Sequence, residues 1–306
     1  LGNELNLRAK NDGVWDAIED LALRIKEADP DHPVTTMLAG IDSPTVNAIA
    51  KRAPSLDFLS FQIYGEIDQL PAILEKVGYD GPYQITEWGP TGHWESPETH
   101  WKRPFEPSST QKANDIARRY QEIILADSKC CLGAYIFLWG QKQERTPTWY
   151  GMFLEAGERT AAVDVMQKAW TGEWPAQRAP EIQSLRLNDQ EAPASVEGIT
   201  NQVFRAEVDA ADKDDHLISW RVREEVPAAL QSDGGDFEPT PPTIEAVIGT
   251  QNRQFSFQLS EPGEYRLFCQ IDTPYDSSAV ANIPFLIKPE PQKRTRFFNL
   301  FRRSAA

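Results

Sequence analysis

A change of hydrophobic period near residue 175 constrains this chain more than any other feature. Before it, short apolar runs alternate with amphipathic stretches. After it, short runs rich in β-branched and aromatic residues follow one another, separated by turn residues. In the first part Val14, Ile18, Leu21, Ala22 and Ile25 share one face at helical spacing, and Asp29-Pro30 stops that helix. A strand over 34–38 follows, then a helix to about residue 52 with Ser43 as N-cap and Pro44 in its first turn. Strands over 57–64, 83–87 and 132–139 and helices over 69–77, 109–126 and 161–170 continue the series. A long loop occupies 88–107, and loops of that length in compact domains usually carry function.

With a strand stub at residues 1–4, this order repeats β-α five times, and right-handed crossovers turn it into a parallel sheet. The expectation is an α/β domain over 1–175 that supplies strands four to eight of a (β/α)8 TIM barrel. The chain opens on Leu1 inside that stub, so the three other strands, and any targeting segment, are expected upstream. A periplasmic or secreted location is expected if that upstream part carries a signal peptide.

Residues 176–180 read as a linker. Seven strands are expected over 182–187, 202–208, 217–223, 243–248, 254–259, 265–271 and 281–287. They make 181–289 an all-β sandwich in which Trp220 and Cys269 resemble the buried core positions of an immunoglobulin-like sheet pair. No cysteine stands on an earlier strand to bridge Cys269, so no inter-sheet disulfide is expected. The acidic stretches at 212–215 and 232–236 read as solvated turns, since neither has the ligand spacing of a calcium loop. The tail at 290–306 is basic with interleaved Phe. It reads as a frayed end, with attachment to an anionic membrane surface as the alternative.

A net charge of −15 repels phosphate and argues against a nucleic-acid partner, while a neutral polysaccharide is unaffected by that field. No apolar run approaches the roughly 20 residues of a membrane span. The three cysteines, Cys130, Cys131 and Cys269, have no metal-ligand spacing, and neither metal nor cofactor is expected.

The chemistry gathers at strand ends. Glu4 follows Asn3 at the end of the stub, and Glu87 ends the strand Tyr83-Gln84-Ile85-Thr86-Glu87, followed by Trp88 and Gly89. A charge ending an apolar strand is costly unless it faces a polar cleft. Two carboxylates at one sheet mouth suit glycosidic bond cleavage, in which one holds a proton and the other stays ionised. Tyr64, closing the preceding strand, is placed either to donate to Glu87 or to serve as a core tyrosine. Trp139, closing the last strand, is placed to stack on a sugar ring or to pack the barrel. Gln141 opens a polar run (141–145), and His93, Trp94, His100 and Trp101 stand in the long loop. Asn3, Tyr64, Trp88, His93, Trp139 and Gln141 are therefore the candidate substrate contacts, with Glu4 and Glu87 the candidate catalytic pair.

These residues make the first 175 positions similar to the carboxyl-terminal half of a clan A retaining glycoside hydrolase. That clan includes family 2, the β-galactosidase and β-glucuronidase group, and several β-glucanase families. Gly2-Asn3-Glu4 resembles its strand-four acid/base motif and Ile85-Thr86-Glu87-Trp88-Gly89 its strand-seven nucleophile motif. Tyr64 and Trp139 match its strand-six tyrosine and strand-eight tryptophan. A barrel followed by one immunoglobulin-like domain is also similar to family 158 endo-β-1,3-glucanases. The resemblance implies a retaining β-glycosidase acting on a β-glucan, with Glu87 as nucleophile, Glu4 as acid/base and carboxylates about 5–5.5 Å apart. It also implies that a fragment lacking the first strands is inactive alone. Two other readings are a glycan-binding or scaffold protein with a degenerate glycosidase fold, and a sandwich that serves as the carbohydrate-binding module.

Overall fold

The computed structural model describes residues 1–9, 11–211, 215–232, 234 and 236–291. The basic tail beyond 291 and the acidic turn at 212–214 lie outside the described residues.

The first lobe follows the expected alternation. Asn3 makes a parallel bridge to Met37, and a short helix α1 (Leu5–Arg8) comes next. There follow α2 (Gly13–Ala28), β1 (Met37–Ala39), α3 (Ser43–Arg52), β2 (Leu59–Gln62), a 3-10 turn (Gly65–Gln69) entering α4 (Leu70–Val77), and β3 (Tyr83–Trp88). Then come α5 (Ser109–Arg119), which runs on as a π turn (Tyr120–Ile124), β4 (Cys131–Ile136) and α6 (Ala161–Thr171). The sheet is parallel in the order β1-β2-β3-β4. Trp15, Ile18 and Ala22 form the buried stripe of α2, whereas Leu21 lies outward. The N-cap of α3 is Asp42 rather than Ser43. The Asp42 Oδ1 accepts from Thr45 N–H at 2.8 Å, because a carboxylate one position earlier reaches the free amides of the first turn. Ser108 and Gln111 form a capping box on α5.

These four strands make an open sheet, and no closed barrel exists among the described residues. Leu132 and Tyr135 of β4 are accordingly exposed.

The second lobe contains β5 (Ile182–Leu187), β6 (Val196–Ile199), β7 (Phe204–Ala210), β8 (Leu217–Glu224), β9 (Thr243–Thr250), β10 (Gln254–Phe257), β11 (Gly263–Asp272) and β12 (Ser278–Lys288). One sheet has the order β10-β7-β5, the other β6-β12-β11-β8-β9. The expected strands are present. The addition is β6, whose Val-Glu-Gly-Ile carries a glycine and little β signal, and which is held by parallel pairing with the end of β12. Trp220 and Cys269 face each other across β8 and β11 and are fully buried.

Each lobe has its own apolar cluster, and Ala179 of the connecting segment belongs to the first. Polar contacts nonetheless stitch the lobes together. Arg266 Nη2 donates to Pro104 O at 3.1 Å, Val280 N–H to Ser109 Oγ at 2.9 Å, Ile182 N–H to Thr110 Oγ1 at 2.9 Å, and Arg103 pairs with Glu264.

Candidate functional site

Local irregularity in β3 creates the site. Phe61 pairs with Ile85, but the next residue, Gln62, pairs with Glu87, so Thr86 is an extra residue and the strand bulges. Tyr83 and Ile85 bury their side chains in the first-lobe core. The bulge then shifts the alternation by one, so that Trp88 returns to the core and Glu87 stands beside Gln62.

Both oxygens of Glu87 are held. Tyr64 Oη donates to Oε2 at 2.9 Å, and Gln62 Nε2 donates to Oε1 at 2.7 Å. The second hydrogen of the same Gln62 amide goes to Asn3 Oδ1 at 2.7 Å. Two acceptors flanking one nitrogen set the orientation of that amide, since its oxygen could satisfy neither. Gln62 thus ties the Asn3-Glu4 end of the sheet to Glu87. Glu4 is half-buried and left-handed (φ 49°), and its N–H donates to Met37 O at 3.1 Å.

Around Glu87 stands an aromatic wall. Tyr64 meets Trp94, Phe137 and Tyr150 edge-on, with ring centroids 5.4, 6.2 and 5.6 Å away. Trp94 is 60% exposed and meets His93 edge-on as well, at 5.0 Å. The loop carrying it is anchored by Glu95, whose carboxylate accepts from the backbone N–H groups of Gly65, Glu66 and Gly92 at 2.7–2.8 Å. Behind the wall, Glu144 binds Lys142 Nζ at 2.6 Å and lies 3.2 Å from His93 Nε2.

Burial pushes the Glu87 carboxyl above the usual carboxylate range. The Tyr64 hydrogen bond and the Lys142 ammonium oppose this, and Glu144 adds to it. Burial, reinforced by the Glu87 charge, raises the Tyr64 phenol far enough to keep it a donor. Glu144 is also pushed up by burial, but His93 and Lys142 outweigh that and hold it low.

The candidates from sequence therefore separate. Asn3, Tyr64 and Glu87 share one hydrogen-bond network, and Glu4 adjoins it. Trp88 does not belong to the cleft: it is fully buried and stacks on Tyr120 at 5.9 Å, because the bulge returns it to the helix side. Trp139 is 59% exposed and packs against Phe153 and Trp170 instead of Tyr64. Strand pairing stops at Ile136, so alternation no longer applies, and Phe137 takes the inner position. Gln141 commits its amide to Pro147 O at 2.9 Å, closing the loop over 141–147. His93 is in the wall, supporting Glu144. His100 turns to the second lobe and pairs with Glu197 at 2.7 Å. Among the described residues no cluster could hold a metal ion, and no helix is long and apolar enough to cross a membrane. Sequence reading missed Gln62. Its signal was a lone amide in the short strand run Leu59-Ser60-Phe61-Gln62-Ile63, whose only other polar residue is the small Ser60.

No protein-family model matches the sequence. No curated protein matches it either. Among solved structures, the chain is similar to the thermostable GH51 α-L-arabinofuranosidase of Thermotoga petrophila RKU-1 at 12% identity and TM-score 0.40, over 92% of this chain and 65% of that one. An α-L-arabinofuranosidase of Thermotoga maritima, in complex with arabinose, is similar at 12% identity and TM-score 0.41, over 93% and 65%. An exo-β-agarase is similar at 19% identity and TM-score 0.32, over 46% of this chain and 20% of that one. The chain thus spans about two thirds of the length of the two arabinofuranosidases and a fifth of the agarase. Likenesses of this strength carry no functional weight, and the reading of the site rests on its geometry.

Proposed function

We propose that this chain carries the catalytic pair of a retaining β-glycoside hydrolase acting on a neutral β-glucan. The observation that carries the reading is the Glu87 carboxylate held by Tyr64 and Gln62, with the same Gln62 amide bound to Asn3 beside Glu4. Glu87 attacks the anomeric carbon as the glycosidic C–O bond breaks, and Glu4 gives its proton to the leaving oxygen. Glu4, now a carboxylate, takes a proton from water, whose oxygen displaces Glu87 and restores it. Trp94 offers its face to the apolar side of a pyranose.

The test is hydrolysis of aryl β-glycosides and laminarin-type glucans by the full-length gene product, as wild type, Glu87→Ala and Glu4→Ala. The expected loss for Glu87→Ala is about four to six orders of magnitude, by analogy with removal of other enzymic nucleophiles. Added azide should restore turnover in Glu87→Ala as a glycosyl azide of inverted configuration. The second reading, glycan binding without turnover, draws on the open sheet, which leaves the β4 side of the cleft unenclosed. Glucan binding by the wild type with no sugar released would favour it.

A further inference from the structure

We infer that the second lobe takes part in the site: the buried carboxylate of Glu238 positions the 141–147 turn and, through it, the Lys142 and Glu144 side chains near Glu87. In naming a positioning residue for nucleophile chemistry at Glu87, this rests on the proposed function. The geometry itself stands apart from it.

The turn is held in an unfavourable backbone state. Arg145 is a non-glycine residue at φ 61°, and Glu144 N–H donates to Thr146 O at 3.1 Å across the reversal. A left-handed residue with a side chain is disfavoured and persists where its surroundings over-determine it. Glu238 supplies that restraint from the other lobe. Its carboxylate accepts from Arg145 N–H at 2.6 Å, Arg145 Nη1 at 3.1 Å and Gln143 Nε2 at 3.1 Å, and from Ser232 N–H at 3.0 Å. Three of these four donors belong to the turn, and the Glu238 side chain is 0% exposed. The other foot of the turn is held in the same manner. Thr146 Oγ1 donates to Glu106, which also accepts from Asn282 Nδ2 of β12 at 2.6 Å.

Between the two feet sits Glu144, flanked by Lys142 and His93. Lys142 Nζ lies 5.9 Å from the centre of the Phe137 ring, which itself packs on Tyr64. The charged groups that the turn brings to bear on Glu87 are thus Lys142 and Glu144, beside Glu4 at the neighbouring strand end and the neutral donors Tyr64 and Gln62. Glu144 has a tether outside the turn in His93 Nε2 at 3.2 Å, so loosening the turn releases the Lys142 charge more than the Glu144 charge, and Glu87 is expected to bind its proton more tightly.

The experiment uses the full chain with Glu238→Gln, which keeps the shape, removes the charge and turns an N–H toward the donors. The Glu87 carboxyl is titrated by 13C NMR, with its signal assigned from the Glu87→Gln difference spectrum, and the pH profile of hydrolysis is recorded in parallel. The expected result is an upward shift of the Glu87 midpoint by about half a pH unit or more, with kcat lowered roughly tenfold to a hundredfold. Gln143→Ala, which removes one contact and leaves Glu238 in place, should shift the midpoint in the same direction by less. A folded Glu238→Gln protein with an unmoved Glu87 midpoint overturns the inference. Should Glu238→Gln not fold, an unmoved midpoint in Gln143→Ala does so. The NMR titration needs no turnover, so a full-length gene product that hydrolyses nothing sinks the proposed function and leaves this inference to stand or fall on the midpoint.

Discussion

Glu87 at the strand ends and Glu106 in the seam between the lobes are both carboxylates withdrawn from water, and their proton affinities move in opposite directions. Burial pushes both up. At Glu106 the Lys112 ammonium in direct contact, with the Thr146 hydroxyl and the Arg266 charge behind it, overcomes burial and holds the group below the usual range. At Glu87 the touching groups are a neutral phenol and a neutral amide, the nearest cationic influence comes from Lys142, and burial wins. Between these two groups the partner in contact sets the sign, although at Glu225 burial prevails even against the touching Arg266 guanidinium. A carboxylate locked to an ammonium is structural. One held by neutral donors can gain and lose a covalent bond without dismantling an ion pair.

The comparison breaks most visibly at Lys112. Replacing it with Met leaves Glu106 buried without its cation, and the expected loss of stability is about 3–5 kcal/mol by denaturant unfolding at neutral pH. The pH dependence has a definite sign. In the wild type the Glu106 contribution is present above the unfolded carboxylate value near 4.5 and is lost as pH falls through the depressed folded value. In Lys112→Met the folded value rises, so the deficit is largest at neutral pH and shrinks on acidification. A deficit below about 1 kcal/mol at pH 7 would remove the contrast with Glu87.

Tyr64→Phe sharpens the other side. It deletes a hydrogen bond to a charged group, worth about 1.5–3 kcal/mol, so the acid limb of kcat/KM should move up by about one to two pH units. An unmoved limb would mean that the phenol is a core group that merely touches Glu87. The smallest effects are expected on the outer face. Trp94→Ala should raise KM about threefold to tenfold, the worth of one aromatic platform. Trp139→Ala should leave kcat/KM within about twofold and cost no more than about 1 kcal/mol of stability.

Much of the architecture could be read along the chain because it follows from local period. The helical spacing of Val14, Ile18, Leu21, Ala22 and Ile25 located α2, although Trp15 rather than Leu21 is buried beside Ile18 and Ala22, and the inward alternation of β7 encodes a half-buried strand without reference to anything distant. Glu87 was legible for a related reason, a charge ending an apolar run. The burial of Trp88 and the outward place of Trp139 were not legible, because both depend on departures from regular pairing, the bulge at Thr86 and the end of pairing at Ile136. Val196–Ile199 was missed because its pairing partner, not its own residues, makes it a strand.

The order of elements, the switch from helical to strand period and the acidic residues at strand ends were set by the sequence itself, since each depends on side chains a few positions apart. Tertiary structure alone decided that Glu87 keeps neutral company while Glu106 is bound to an ammonium. It alone brought Glu238 against Arg145 and Asn282 against Glu106. The physical reason is range: hydrogen bonds and low-dielectric charge interactions act over a few ångströms of space, and folding, not chain position, determines what lies within them.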